Sequence, residues 1–250
     1  MHDTPVATAP APAPRRPFSL RRAPWFRRLK LFGKRVIGRE PWLSPEPVPG
    51  LRLVDDWACV ATGLEPGDRV WAFGVGTSVD FEFALHAECG VDVDLFDPSP
   101  VAVAWIGGLT LPPALRFHPW AIAPADGTLR LAARDAASGD RQVMYSAADP
   151  SRTGPVVEVE ALTFATIRQR LGGPSPALVK LDIEGLEFDV LPGLLAMDPL
   201  PAQVLVEFHH RFPGLGPGRT RAAVTALRAA GYRLAWHSPT GREFTFVRGA

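Results

Sequence analysis

Cysteine is scarce in this chain: two in 250 residues, Cys59 and Cys89, with no Cys-x-x-Cys spacing. That excludes a disulfide framework and leaves too few thiolates for a structural zinc site. Reduced, buried thiols in a cytoplasmic protein are the expectation. Long apolar runs are also missing, and none approaches the roughly 20 residues of a membrane-spanning helix. The chain begins with Ala/Pro alternation followed by arginines, the reverse of a secretory signal's order, so an unsecreted protein is expected. Neither sign of charge dominates, with 27 Lys and Arg against 26 Asp and Glu. The distribution is uneven. Residues 1–50 hold ten basic and three acidic side chains, residues 51–250 seventeen and twenty-three. An acidic body argues against nucleic acid as a partner.

Proline is plentiful near the start. Residues 1–18 are Pro/Ala-rich and read as disordered or polyproline-like. Residues 20–39 are basic, with Trp25, Leu29, Phe32 and Val36 at helical spacing. They predict a short amphipathic helix, packed on its own domain or in weak contact with an anionic membrane. Pro41, Pro45, Pro47 and Pro49 read as a linker. The expected division is an arm over 1–50 and one folded domain over 51–250.

Strands and helices then alternate. Strands are predicted at Arg69–Val75, Val91–Phe96, Leu115–Ile122, Ala177–Ile183 and Gln203–His209. Helices are predicted at 79–89, after Ser99-Pro100, at Leu162–Leu171, Leu186–Leu195 and Thr220–Ala230. Asp126-Gly127 and the short stretches Thr128–Leu131, Gln142–Tyr145 and Val156–Val159 read as an inserted hairpin. Tyr232–His237 and Glu243–Val247 close the chain as an antiparallel pair. Repeated βα units predict a single α/β sandwich on a mostly parallel sheet.

The fourth of these strands carries charge. Period-two alternation puts Val179, Leu181 and Ile183 on one face and Lys180, Asp182 and Glu184 on the other. A strand buried on both sides should be apolar throughout. The charges therefore mark either a structural ion pair or a site at the strand's carboxyl end, where open α/β sheets bind ligands.

Gly74 and Gly76 follow the first strand, a weak nucleotide signal by itself. The third glycine of a dinucleotide fingerprint is replaced by Val79, and Asp80 and Glu82 stand where pyrophosphate would need a bare helix N-terminus. A cationic ligand without phosphate tolerates both acids, and S-adenosylmethionine is such a ligand. Asp97, at the end of the second strand, is placed to accept the two ribose hydroxyls, unless it only starts an Asp-Pro turn. Trp120 and Ile122 are candidates for the adenine wall, with core packing as the alternative.

The segments VWAFGVGTSVDFEFALHAECGVDVDLFDPSP, LVKLDIEGLEFDVL and VLVEFHHRF resemble the FkbM-type S-adenosylmethionine-dependent methyltransferases over roughly residues 66–250. The motif Lys180-x-Asp182-x-Glu184-Gly185-x-Glu187 is the most specific part of the likeness. The resemblance implies a Rossmann-like class I methyltransferase sandwich of seven strands, the last antiparallel, and O-methylation of sugar or secondary-metabolite hydroxyls. Many relatives have an acid where this chain has Ala72 and a glycine near Ser78; Asp80 and Glu82 are candidates to supply the missing carboxylate.

Glu184 is the first choice for binding or deprotonating an acceptor hydroxyl and His209 the second, with Asp182 ionised and orienting its neighbours. His118 reads as structural. No metal is assigned, although Asp182, Glu184, Glu207 and His209 are chemically able to hold a divalent ion. The expected partner is a small-molecule or glycan hydroxyl acceptor. The alternatives are a non-catalytic binding protein of the same fold and a nicotinamide-dependent oxidoreductase.

Overall fold

The computed structural model describes residues 24–133, 144–149, 151 and 153–249. The Pro/Ala-rich stretch 1–18, residues 20–23 of the basic stretch and residues 142–143 of the insert fall outside these, as do the side chains of Pro24, Trp25 and Arg27.

Seven strands form the central sheet: β3 (Arg69–Phe73), β4 (Asp92–Phe96), β5 (Leu115–His118), β10 (Leu178–Leu181), β11 (Gln203–Glu207), β12 (Tyr232–His237) and β13 (Glu243–Arg248). Their spatial order is β12-β13-β11-β10-β3-β4-β5. Only β13 runs antiparallel to its neighbours, wedged between β11 and β12. The mostly parallel sheet with an antiparallel last strand is as expected.

Alternation along the strands supplies both faces of the core. Trp71, Phe73, Val179, Leu181, Val204 and Val206 pack under α4 (Phe164–Leu171), α5 (Glu187–Leu195) and α6 (Gly216–Ala229). Val70, Ala72, Val93, Leu95, Leu178 and Leu205 pack under α2 (Asp80–Cys89) and α3 (Pro100–Ile106). Helices cover both sides of these strands, so their buried residues are apolar apart from a few, such as Asp94 and Lys180. A hairpin of β1 (Leu51–Val54) and β2 (Trp57–Val60) completes the second layer. It was not anticipated, because its turn is Asp55-Asp56 rather than Asn-Gly; Asp55 supplies the positive φ of 50°.

Three expectations need correction. The third strand does not run to Ile122. Pro119 has no N–H to donate to a ladder, so β5 stops at His118. Ala121–Ile122 (β6) instead pairs with β9 (Val156–Leu162). The insert is accordingly a four-stranded sheet, β6-β9-β7-β8, rather than a hairpin, with β7 at Gly127–Ala133 and β8 at Tyr145–Ser146. Leu162 belongs to β9, and Thr163 caps α4 by accepting from Thr166 N–H.

The Pro-rich segment is also no free linker. Val48 packs with Ala235 and Val247, and Glu46 N–H donates to Leu234 C=O at 2.7 Å. Helix α1 (Pro24–Val36) docks through buried Leu31, which lies over the Gly241 turn. Glu40, with 1% of its side chain exposed, accepts from His210 and Arg211 just past β11. Residues 24–50 thus pack on the domain they precede.

Candidate functional site

The strand order reverses at β3, with β4 on one side and β10 on the other, all three parallel. The carboxyl ends of these strands diverge there and leave a crevice. A cavity of about 310 Å³ fills it, near the lower end of ligand-cleft sizes. Its floor is Gly74–Ser78, Asp97–Ser99 and Asp182–Glu184, and its walls include Phe96, Val101, Trp120 and Ile122. The inserted sheet closes the top with Leu129, Leu131, Met144, Tyr145 and Ser146. Three carboxylates and no Lys, Arg or His line this space among the described residues.

Gly74 is fixed by close approach. It has φ +77°, and a Cβ there would lie 1.7 Å from the Asp182 carbonyl oxygen. No larger residue lets β3 and β10 part at this distance. Gly76 also has positive φ, but a Cβ there would meet nothing within 4 Å. Asp97 ties the loop down. One carboxylate oxygen accepts from Gly76 N–H and the other from Ser99 N–H, both at 2.8 Å. Asp97 is therefore both the start of an Asp-Pro turn and a cavity-lining acid, since a carboxylate keeps lone pairs after two hydrogen bonds.

The structure brings Gly74, Gly76, Asp97, Trp120, Ile122, Asp182 and Glu184 to one cavity. It does not bring Asp80. That residue is exposed, is not among the residues lining the cavity, and accepts from the Ser78 hydroxyl at 2.9 Å. Glu82 cannot substitute for it, because it is buried against Lys180 Nζ at 2.8 Å. Ala72 and Ser78 are left without a compensating acid at the loop. Trp120 is only partly buried, stacks on His118 with centroids 4.8 Å apart and carries Arg170 over its ring. His118 is structural, bonded to buried Asp94 at 3.0 Å.

The face-sharing argument for the charged strand fails beyond Leu181, where β10 ends. Lys180 turns towards α2 and Glu82. Asp182 leaves the strand, and Glu184 adopts φ +53°. That conformation is rare for a residue with a Cβ and is held by its surroundings. Here the Ser146 hydroxyl donates to Glu184 C=O at 2.6 Å. Glu187 Oε1 accepts from Ile183 and Gly185 N–H at 3.2 and 3.0 Å. The Glu184 carboxyl group is thereby aimed at the cavity with 14% of its side chain exposed.

His209 lies just past β11 and behind this wall. Its side chain is 6% exposed, and its Nδ1 is 2.8 Å from Glu187 Oε1. Its Nε2 faces Glu207 at 3.7 Å, Asp182 at 3.9 Å and Glu184 at 4.0 Å. Burial alone would lower the imidazole pKa. The Glu187 hydrogen bond and the surrounding carboxylates outweigh it and push His209 up to about 9. An imidazole with that pKa carries a proton at neutral pH. Burial and neighbouring carboxylates raise Asp182 and Glu207, against the opposing charges of His209 with Lys180 and of Arg242 with His209 respectively.

Two contributors escaped the sequence. Glu187 was quoted within the motif but given no role; its signal is its position two past Gly185, opening α5. Ser146 sits in an insert whose folding onto the cavity no local pattern announces.

The comparisons with known proteins bear on these features. A family model described as the methyltransferase FkbM domain matches residues 75–234. No curated protein matches the sequence. Solved structures similar to this chain include a precorrin-6y C5,15-methyltransferase from Geobacter metallireducens GS-15, with 8% identity, TM-score 0.39, and coverage of 82% of this chain and 94% of that one. Another is a putative methyltransferase from Thermoplasma acidophilum, with 11% identity, TM-score 0.38, and coverage of 75% and 70%. The matched residues take in Gly76, Asp97, the acidic motif and His209, and they cover more than half of the chain, so the chain belongs to the methyltransferase FkbM domain family.

Proposed function

We propose that this chain is an S-adenosylmethionine-dependent O-methyltransferase acting on a hydroxyl of a sugar or secondary metabolite. The observation that carries the reading is the cavity lined by Asp97, Asp182 and Glu184 with no basic side chain among the described residues. Such a lining repels phosphate and suits a cation. The cofactor, when bound, supplies a methyl group on a positively charged sulfur.

The chain's own residues do the rest. Asp97 is positioned to accept the ribose hydroxyls, and Trp120 and Ile122 to wall the adenine. Leu129, Leu131 and Met144 exclude water from above. Methyl transfer is an in-line displacement that depends on alignment of oxygen, methyl and sulfur. Glu184 stands at the open side and takes the acceptor's proton as the new bond forms. His209 stays protonated on this reading and steadies the carboxylates around it. Ser146, on the insert, donates to Glu184 C=O and so ties the backbone that carries the base to the insert.

The same lining disfavours a nicotinamide dinucleotide, whose pyrophosphate would meet acids. Calorimetry with S-adenosylhomocysteine and NAD in parallel tests this. S-adenosylhomocysteine should bind and NAD should not; tighter NAD binding defeats the reading. Turnover on a panel of glycosides and hydroxylated small molecules, followed as S-adenosylhomocysteine release, separates an enzyme from a non-catalytic binder of the same fold.

The partner side of the proposal includes a lipid surface. Leu29, Phe32, Val36, Ile37 and Trp42 are each more than half exposed, beside Arg28, Lys30, Lys34 and Arg39. An apolar face ringed by cations fits an anionic membrane. Because α1 docks on the turn and loop past the carboxyl ends of β11 and β12, such contact would hold the cavity end of the sheet near the membrane.

A further inference from the structure

We infer that the carboxyl ends of β10 and β11 form a divalent-cation site of the Mg²⁺ or Mn²⁺ class, with Asp182, Glu207 and His209 as its protein ligands. One ligand atom from each lies within 4.8 Å of the other two. The detail that points to an ion is the His209 Nε2 atom. Its side chain is 94% buried by the 6% exposure given above, yet no described residue comes within hydrogen-bond reach of Nε2. A hydrogen bond would bring a carboxylate oxygen to about 2.7–3.2 Å. Three oxygens instead stand at 3.7, 3.9 and 4.0 Å around it. Donor atoms that share an ion at about 2.0–2.2 Å stand roughly 3–4 Å from one another. The gap is the size of a cation.

The remaining contacts fit that use. Glu187 holds Nδ1 at 2.8 Å, the carboxylate–histidine arrangement that orients a ligating imidazole and fixes its tautomer. The Asp182 N–H donates to Phe73 C=O at 3.0 Å, but its carboxylate makes no hydrogen bond among the described residues and 30% of the side chain is open, which gives an ion a way in from the cavity. Arg242 donates to Glu207 Oε1 at 2.9 Å. A carboxylate has about four lone-pair sites, so this anchors Glu207 without exhausting it. The two carboxylates suit Mg²⁺ or Mn²⁺, and the imidazole nitrogen favours Mn²⁺, the softer of the two. On the proposed methyl-transfer reading, the ion would also bind the acceptor oxygen and make its proton easier to lose.

Electron paramagnetic resonance of Mn²⁺ titrated into the full chain tests the site with neither cofactor nor acceptor present. One tight Mn²⁺ per chain is expected, displaced by Mg²⁺ in excess, with nitrogen coupling in the electron spin echo. Asp182→Asn should weaken binding more than tenfold, and Glu187→Gln, which loosens only the imidazole, by about 10–100-fold. His209→Asn should abolish the nitrogen coupling. Circular dichroism and the melting curve of each variant show whether it has folded. Mn²⁺ binding in folded Asp182→Asn equal to the parent's overturns the site, and so does a signal without nitrogen coupling in the parent. S-adenosylhomocysteine calorimetry on the metal-free parent chain is independent of these outcomes, so the metal site and the methyl-transfer reading fail separately.

Discussion

At the scale of single residues, the site depends on a few positions whose substitutions should have distinguishable effects. Gly74→Ala drives a methyl group into the Asp182 carbonyl, whereas Gly76→Ala adds only left-handed backbone strain of about 1–2 kcal/mol. In a chain of this size Gly76→Ala should lower the melting temperature by roughly 2–8 °C, at about 2–4 °C per kcal/mol. Gly74→Ala should lower it considerably more, and equal shifts would remove the steric argument. Asp97→Ala frees the Gly76 and Ser99 N–H groups and removes the ribose acceptor. Its S-adenosylhomocysteine affinity should fall by about 1–3 kcal/mol, read by calorimetry. Glu184→Gln keeps shape and loses the proton acceptor, so turnover should drop about 10²–10⁴-fold while S-adenosylhomocysteine affinity stays within a few-fold. A normally active Glu184→Gln enzyme would place the base elsewhere.

At the scale of elements, Lys180 and Glu82 join β10 to α2 through an ion pair buried at both ends. Trp57 and Phe81 lie within 5.3 and 5.4 Å of the ammonium and add cation–π attraction. Removing one charge strands the other in the core, so Lys180→Met should destabilise by about 3–5 kcal/mol. The Lys180→Met/Glu82→Leu double variant should recover most of that in urea unfolding, because an apolar pair of similar volume is often neutral. The charged strand was legible in the sequence as a functional landmark, but its internal wiring was not. Lys180 was assigned to the same face as Asp182 on strict alternation, and the strand ends one residue too early for that rule to reach Asp182. The third strand was lengthened in error for a related reason. Apolar Trp120, Ala121 and Ile122 continue its pattern, and only Pro119 hints that the chain changes sheets there.

At the scale of the whole molecule, Glu40 joins the N-terminal segment to the loop past β11. Burial alone would raise its carboxyl pKa, but hydrogen bonds from His210 and Arg211 outweigh that and hold it at about 2. A carboxyl depressed in the folded state contributes stability above its unfolded pKa, near 4.5, and loses it as pH falls towards 2. Parent chain should therefore lose stability across that window, and Glu40→Gln, already destabilised at pH 7, should lose less of it. Parallel melting-temperature curves against pH would contradict the assignment. The outward face of α1 gives a second whole-molecule test. Phe32→Ser/Trp42→Ser in the full chain should reduce co-sedimentation with anionic vesicles several-fold and leave S-adenosylhomocysteine affinity unchanged. Unchanged pelleting removes the membrane contact.

The sequence by itself determined the α/β class, the glycine loop, Asp97 and the acidic motif, because each rests on short-range pattern: period-two runs, turn residues and the residue that ends a strand. It also exposed the amphipathic character of α1. Only the tertiary structure decided that the Pro-rich segment packs on the domain, that the insert is a second sheet roofing the cavity, and that Asp80 is not among the residues lining it. It alone gathered Asp182, Glu184, Glu187 and Glu207 around the His209 imidazole. Those outcomes depend on which strands become neighbours and on where buried charges find partners. Such long-range pairings are set by the free energy of the whole chain, and no local window of residues contains them.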